Sequence, residues 1–193
     1  MYRITELIKK NKWEFESHIG FNRSWWSYYA QYRKVVEDLT HSINSGINPI
    51  DTVSLPLLFS IRHSFELGLK ANILDFEKIN TEVLKIKLKE HSLELLCNKF
   101  TDHLKIYKTK YSMSKEIENQ MIDYLKKFLP LKDKLHQLDR GSFNFRYPVD
   151  TSGNFNFNMT DKVNLAEIIN AFNEIQPFLV FTHDVLLDQQ ENK

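Results

Sequence analysis

The stretch Leu55–Lys70, LPLLFSIRHSFELGLK, decides how this chain is read. It has the apolar content of a buried helix and yet carries Arg62, His63, Glu66 and Lys70. On a helical wheel of about 100° per residue, Leu55, Leu58, Phe59, Phe65, Leu69 and Ile73 fall within roughly one third of the circumference. Arg62 and Glu66 fall in the middle of that third, with His63 and Lys70 at its edge. The opposite side carries Ser60, Ser64, Gly68 and Ala71, small residues suited to close helix contact. A helix that is apolar or small nearly all round belongs at the centre of a bundle. Arg62 and Glu66 are four apart and can touch. Leaving one of them without its partner in a dry place costs on the order of 3–5 kcal/mol. Either the pair belongs to a buried ion-pair network that fixes the helix, or it forms the polar floor of a binding site. His91, Asp139 and Arg146 are the residues that can join it.

Around this helix the chain reads as one all-α domain over its 193 residues, with frayed ends at about 1–10 and 188–193. Apolar residues make up 42 %, enough for a packed core, and 13 % are aromatic, most of them expected inside. Five Gly and five Pro leave room for long helices. A net charge of +1 gives no global basic field of the kind that announces nucleic acid. No run reaches the roughly 18 apolar residues of a membrane helix, and no secretory signal core opens the chain. One cysteine, Cys97, cannot form an internal disulfide and suits a reducing cytoplasm. On an apolar helix face it is expected to be a buried, inert thiol.

Helices are expected at 24–45 with Ser24 as N-cap, at 53–76, from Ser92 onward, at 114–138 with a kink or break near Pro130, and from Asn164 with a kink at Pro177. In the first of these, Trp25, Tyr28, Tyr29, Tyr32, Val35, Val36, Leu39 and Ile43 recur at helical spacing, which reads as core packing. The segment 81–89, TEVLKIKLK, fits strand alternation as well as a capped helix. In 142–158 the aromatics Phe143, Phe145 and Tyr147, then Phe155 and Phe157, alternate with polar residues around a turn-rich centre, which reads as a small β-hairpin or an extended loop. Its five aromatics need a surface to bury against, in the bundle or in a second subunit.

There is no glycine-rich phosphate loop and no dinucleotide fingerprint. His136 and Asp139 stand one turn apart, too few ligands for a metal, and no cofactor is expected.

The order LFSIRHSFELGLKANIL, KEHSLELL, LDRGSFNFRYPVD and VNLAEIINAFNEIQPFLVF resembles the HEPN superfamily (higher eukaryotes and prokaryotes nucleotide-binding) over roughly residues 24–187. The matching elements are a central helix with Glu and Lys four apart (Glu66, Lys70), a His at a helix start (His91 to Leu96), an Arg-Tyr-Pro element (Arg146, Tyr147, Pro148) and a final helix that packs back on the bundle. The resemblance implies a helical bundle, often dimeric, from a prokaryotic defence or toxin–antitoxin setting, with RNA, a nucleotide or a nucleotidyltransferase as partner. Many members are metal-independent RNases that use an Arg and, after four to six residues, a His. This chain lacks that pair; Arg33 and His41, with seven residues between them, come nearest.

The expectation is therefore a ligand-binding or interaction module whose polar centre is Arg62, Glu66, Lys70, His91, Asp139, Arg146 and Tyr147. An enzyme is the alternative, with His91 or His63 as acid/base and Arg62 or Arg146 on phosphate. A structural homodimeric subunit is the third reading.

Overall fold

The computed structural model describes residues 16–21, 23–79, 89–111 and 113–191, with side chains to 186. The described residues form five helices: α1 (Trp25–Asn44), α2 (Ile50–Ile79), α3 (Leu93–Lys110), α4 (Lys115–Leu138) and α5 (Leu165–Glu191). Among the described residues there is no strand, and the protein is an all-α bundle. The ambiguous 81–88 and the expected frayed end at 1–10 lie outside the described residues.

Side chains set the helix starts. Ser24, Ser92 and Ser114 each accept a backbone N–H three residues on, from Ser27, Leu95 and Ile117. Asn164 does the same for the Glu167 N–H, and its side-chain amide donates to the Glu167 carboxylate, so the return contact is side chain to side chain and not the backbone bond of a capping box. α1 ends at Asn44 with Ser45 as C-cap, and the following Gly46 takes φ of +67°, the left-handed conformation that terminates helices.

α2 is the central helix, packed by α1, α3 and α5, while α4 closes the bundle against α3 and α5. The expected small-residue face makes the close contacts. A Cβ placed on Gly68 would stand 2.9 Å from Leu179 Cδ1 of α5 and 3.2 Å from the Tyr29 ring of α1. That face is used up inside the chain, so it offers nothing to a second subunit. Phe65, Phe76, Phe100, Phe128 and Phe178 are fully buried and meet edge-to-face or stacked, with Phe65 and Phe128 centroids 5.0 Å apart.

Three expectations are made more specific. α4 is one continuous helix through Pro130, so of the kink or break expected there the break does not occur, and α5 likewise continues through Pro177. On α1 only Tyr29 and Val36 are fully buried, while Tyr28 and Val35 face solvent, because α1 lies on the outside of α2 and buries a narrower stripe. The 142–158 segment is the extended loop of the two alternatives. Its hairpin character shrinks to one antiparallel bridge, Val149 with Phe155, around the Asp150–Asn154 turn with Gly153 at φ +85°. Residues 143–147 form a helix-like turn in which the Arg146 and Tyr147 N–H groups both donate to the Phe143 carbonyl. The Asp139 carboxylate caps this turn by accepting the Phe143 and Asn144 N–H groups at 2.6 and 3.0 Å. A side chain has outcompeted the ladder that the alternation suggested.

Candidate functional site

Glu66 is the hub of the polar centre. Its Oε2 accepts from Arg62 Nη1 at 2.9 Å, and its Oε1 accepts from Lys70 Nζ at 2.7 Å and from His91 Nδ1 at 2.9 Å. The residues at 62, 66 and 70 stack along one face of α2 at successive four-residue steps. Arg62 uses the rest of its planar fork on the backbone. Nε donates to the Asp139 carbonyl at 3.0 Å and Nη2 to the His91 carbonyl at 2.6 Å, with the Asp139 carboxylate 3.5 Å from Nε. One guanidinium therefore ties α2 to the end of α4 and to the turn before α3.

Arg62, Glu66, Lys70 and Asp139 are 0–2 % exposed. Two cations face two carboxylates, so the charges balance. Burial pushes the Glu66 carboxyl up, but the Lys70 hydrogen bond and the charges of Lys70, Arg62 and His91 outweigh it, and the group is held below the usual carboxylate range. An ionised Glu66 only accepts. His91 therefore donates from Nδ1, and in its neutral form Nε2 is the acceptor. The His91 side chain is 54 % exposed, on the rim of the sealed cluster.

The second rim element is aromatic. His63, one residue past Arg62, stacks on Phe59 at 5.4 Å and meets Tyr32 edge-on at 4.4 Å. Burial lowers its pKa, so its ring is held neutral. Arg146 lies over Phe59 and Tyr147, at 5.8 and 5.6 Å, and donates from Nε and Nη2 to the Ser142 carbonyl. Ser142 takes a positive φ of 63°, an uncommon conformation for a residue with a Cβ. Tyr147 packs on Phe143 with the rings tilted, centroids 4.4 Å apart, and remains half exposed.

The expected site residues thus separate into two groups. Arg62, Glu66, Lys70, His91 and Asp139 come together. Arg146 and Tyr147 make no side-chain hydrogen bond or ion pair to that cluster; with His63 they form a neighbouring surface of aromatics and one guanidinium. Lys70 is turned inward, with its ammonium 5.5 Å from the Trp25 ring centroid. His136 lies 3.6 Å from Glu94, and among the described residues no three metal-ligating side chains converge. Cys97 is buried, which pushes its thiol well up, as an inert core residue requires.

A second hub has no counterpart among the expected site residues. The Asp75 carboxylate, 5 % exposed, accepts from Trp26 Nε1 at 3.1 Å, His183 Nδ1 at 2.8 Å and Lys78 Nζ at 2.8 Å. It joins α1, α2 and α5, and the His183 ring lies 4.5 Å from that of Trp26. Its signal in the sequence is an Asp between Leu74 and Phe76 on a helix apolar on every side.

No family model, curated protein or solved structure matches this chain. Among the described residues no helix is long and apolar enough to cross a membrane.

Proposed function

We propose that the protein is a HEPN-like binding module that takes single-stranded RNA or a nucleotide on the rim of its polar centre, in a prokaryotic defence or toxin–antitoxin setting. The observation that carries this reading is the arrangement of His91, His63, Arg146 and Tyr147 beside a sealed, charge-balanced base. A charge-neutral floor leaves the rim to do the recognising. Arg146 is fixed by the Ser142 carbonyl and offers a guanidinium to phosphate, and half-exposed Tyr147 offers a ring face to a base. Arg62 and Lys70, both paired inside, serve as scaffold and not as phosphate ligands.

Fluorescence anisotropy with short single-stranded RNAs and with nucleotides tests this. Arg146→Ala should weaken binding by roughly tenfold, as the loss of a charge-assisted contact does, and wild-type binding should fall with salt. Wild-type protein that binds neither RNA nor nucleotides, or an Arg146→Ala variant that binds as well as wild type, would remove the proposal.

A second reading is supported by the Glu66–His91 pair. A buried carboxylate that fixes Nδ1 aims Nε2 outward, as a general base requires. RNA cleavage by wild-type protein that disappears in His91→Ala would establish the enzyme. A homodimer is also proposed. It rests on Phe155 and Met159, 81 % and 107 % exposed, which flank in sequence Phe157, a lining residue of a groove of about 420 Å³ at the start of α2. A monomeric mass by light scattering at high micromolar concentration would remove it.

A further inference from the structure

The Asp75 hub opens onto a cleft of about 470 Å³ between the start of α1 and the C-terminal half of α2. Trp25, Trp26, Ala71 and Leu74 give it apolar walls, and Ser24, Asp75, Glu77 and Lys78 are its polar lining, two carboxylates against one ammonium. The volume lies within the range of small-molecule pockets. We propose that this cleft binds a small organic cation, a primary ammonium on an aromatic or apolar body, with the ammonium on the Asp75 carboxylate and the body against the two indoles.

The protein's own side chains show the chemistry. Asp75 Oδ1 already accepts an ammonium, that of Lys78, whose side chain is 64 % exposed. Lys78 reaches the carboxylate from solvent by a flexible stem, so an incoming ammonium can take its place without disturbing the helix. The other oxygen, Oδ2, is held by Trp26 and His183 and keeps the carboxylate oriented. Trp25 also receives a cation from within, since the Lys70 ammonium stands 5.5 Å from its ring centroid. Lys70 does not line the cleft, so it leaves this space open. The charged end disfavours anions, because a ligand carboxylate would have to compete with Asp75 for the Lys78 ammonium while facing the charges of Asp75 and Glu77. A neutral ligand of the same shape would gain the apolar contacts and leave the Lys78 pair in place.

The test is a titration of the full chain followed at the indole N–H resonances, with phenethylamine, phenethyl alcohol and 3-phenylpropionate as probes. The chain has three tryptophans, so this region of the spectrum is readable. The amine should move the Trp25 and Trp26 signals saturably, and the alcohol and the acid should bind markedly more weakly. Lys78→Ala removes the internal competitor at an exposed position and should tighten amine binding by roughly two- to fivefold, the factor an exposed ion pair is worth. Three results would overturn the proposal: no saturable shift with the amine up to about 10 mM, alcohol or acid binding as well as the amine, or Lys78→Ala binding the amine no better than wild type.

Discussion

α2 carries two buried carboxylates, Glu66 and Asp75, and each holds a histidine by Nδ1. They are built for different work. Glu66 is surrounded by two inward cations, and its histidine stands mostly in solvent. Asp75 is met by one indole, one exposed lysine and a histidine that is itself 22 % exposed and packed on that indole. In the first hub the carboxylate and Arg62 are the interior fastening and the imidazole is the outward-facing element. In the second the imidazole is part of the fastening and the lysine faces outward. The lesson is that a carboxylate–histidine pair does not by itself mark a reactive site; which partner meets water decides what it can do.

The largest expected effect comes from breaking the first hub. Arg62→Ala strands Glu66 beside Lys70 and leaves the Asp139 and His91 carbonyls without their donor, at a position with no solvent access. It should cost about 3–5 kcal/mol in urea unfolding. Arg62→Lys should recover only part of this, because a single ammonium cannot span three acceptors. An Arg62→Ala protein as stable as wild type would show that the hub is not where the fold is fastened. Asp75→Asn should cost less, about 1–3 kcal/mol, since its lysine partner is largely hydrated and the amide still offers an oxygen to one donor.

Acid separates the hubs from their surroundings. Glu66 and Asp75 both have depressed folded-state pKa values: in each, burial raises the value and the surrounding donors and charges outweigh it. Their contribution is present above the ordinary values of 4.5 and 3.8 and is lost as pH falls through the lower folded values. His63 is also lowered, by burial, from 6.5, so the fold prefers its neutral form, and this contribution too is lost on acidification, beginning just below pH 6.5. Thermal melts should therefore fall in two stages, a shallow one below pH 6.5 and a steep one below about 4.5. His63→Phe should abolish the upper stage alone. Persistence of that stage in the variant would assign it elsewhere.

Much of the first hub is legible in the sequence. The four-residue spacing of Arg62, Glu66 and Lys70 on an apolar face requires them to pair, and the helical wheel places their helix at the centre. What spacing cannot show is that Arg62 binds two backbone carbonyls, because a carbonyl leaves no mark on the residue type. In the second hub Asp75 leaves a signal, but its partners are illegible for a different reason. Trp26 and His183 lie 49 and 108 positions from Asp75 and share no local pattern with it, so the three meet only once three helices are packed. The 143–147 turn departs from the alternation of its residues because the Asp139 carboxylate, outside the alternating segment, sets its conformation. Charge alone groups Arg146 with Arg62. In the fold, Phe59, Tyr147 and the Ser142 carbonyl draw it to the aromatic surface.

The smallest expected effects come from the two histidines, and they test the comparison most directly. His183→Ala removes a ring packed at 4.5 Å on Trp26 and a donor to a buried carboxylate, so it should cost about 1–2 kcal/mol. His91→Ala removes a ring that is 54 % exposed but keeps the carbonyl that Arg62 binds. Glu66 retains Arg62 and Lys70. Its cost should stay below about 1 kcal/mol, as for an exposed ion pair. Urea unfolding of the two single variants reads this difference. If His91→Ala proves the more destabilising, the ring itself is a fastening of the first hub, and the division into an inward carboxylate and an outward imidazole fails there. If the order holds, His91 is free of structural duty, and any loss of RNA binding or cleavage in His91→Ala belongs to the rim and not to the fold.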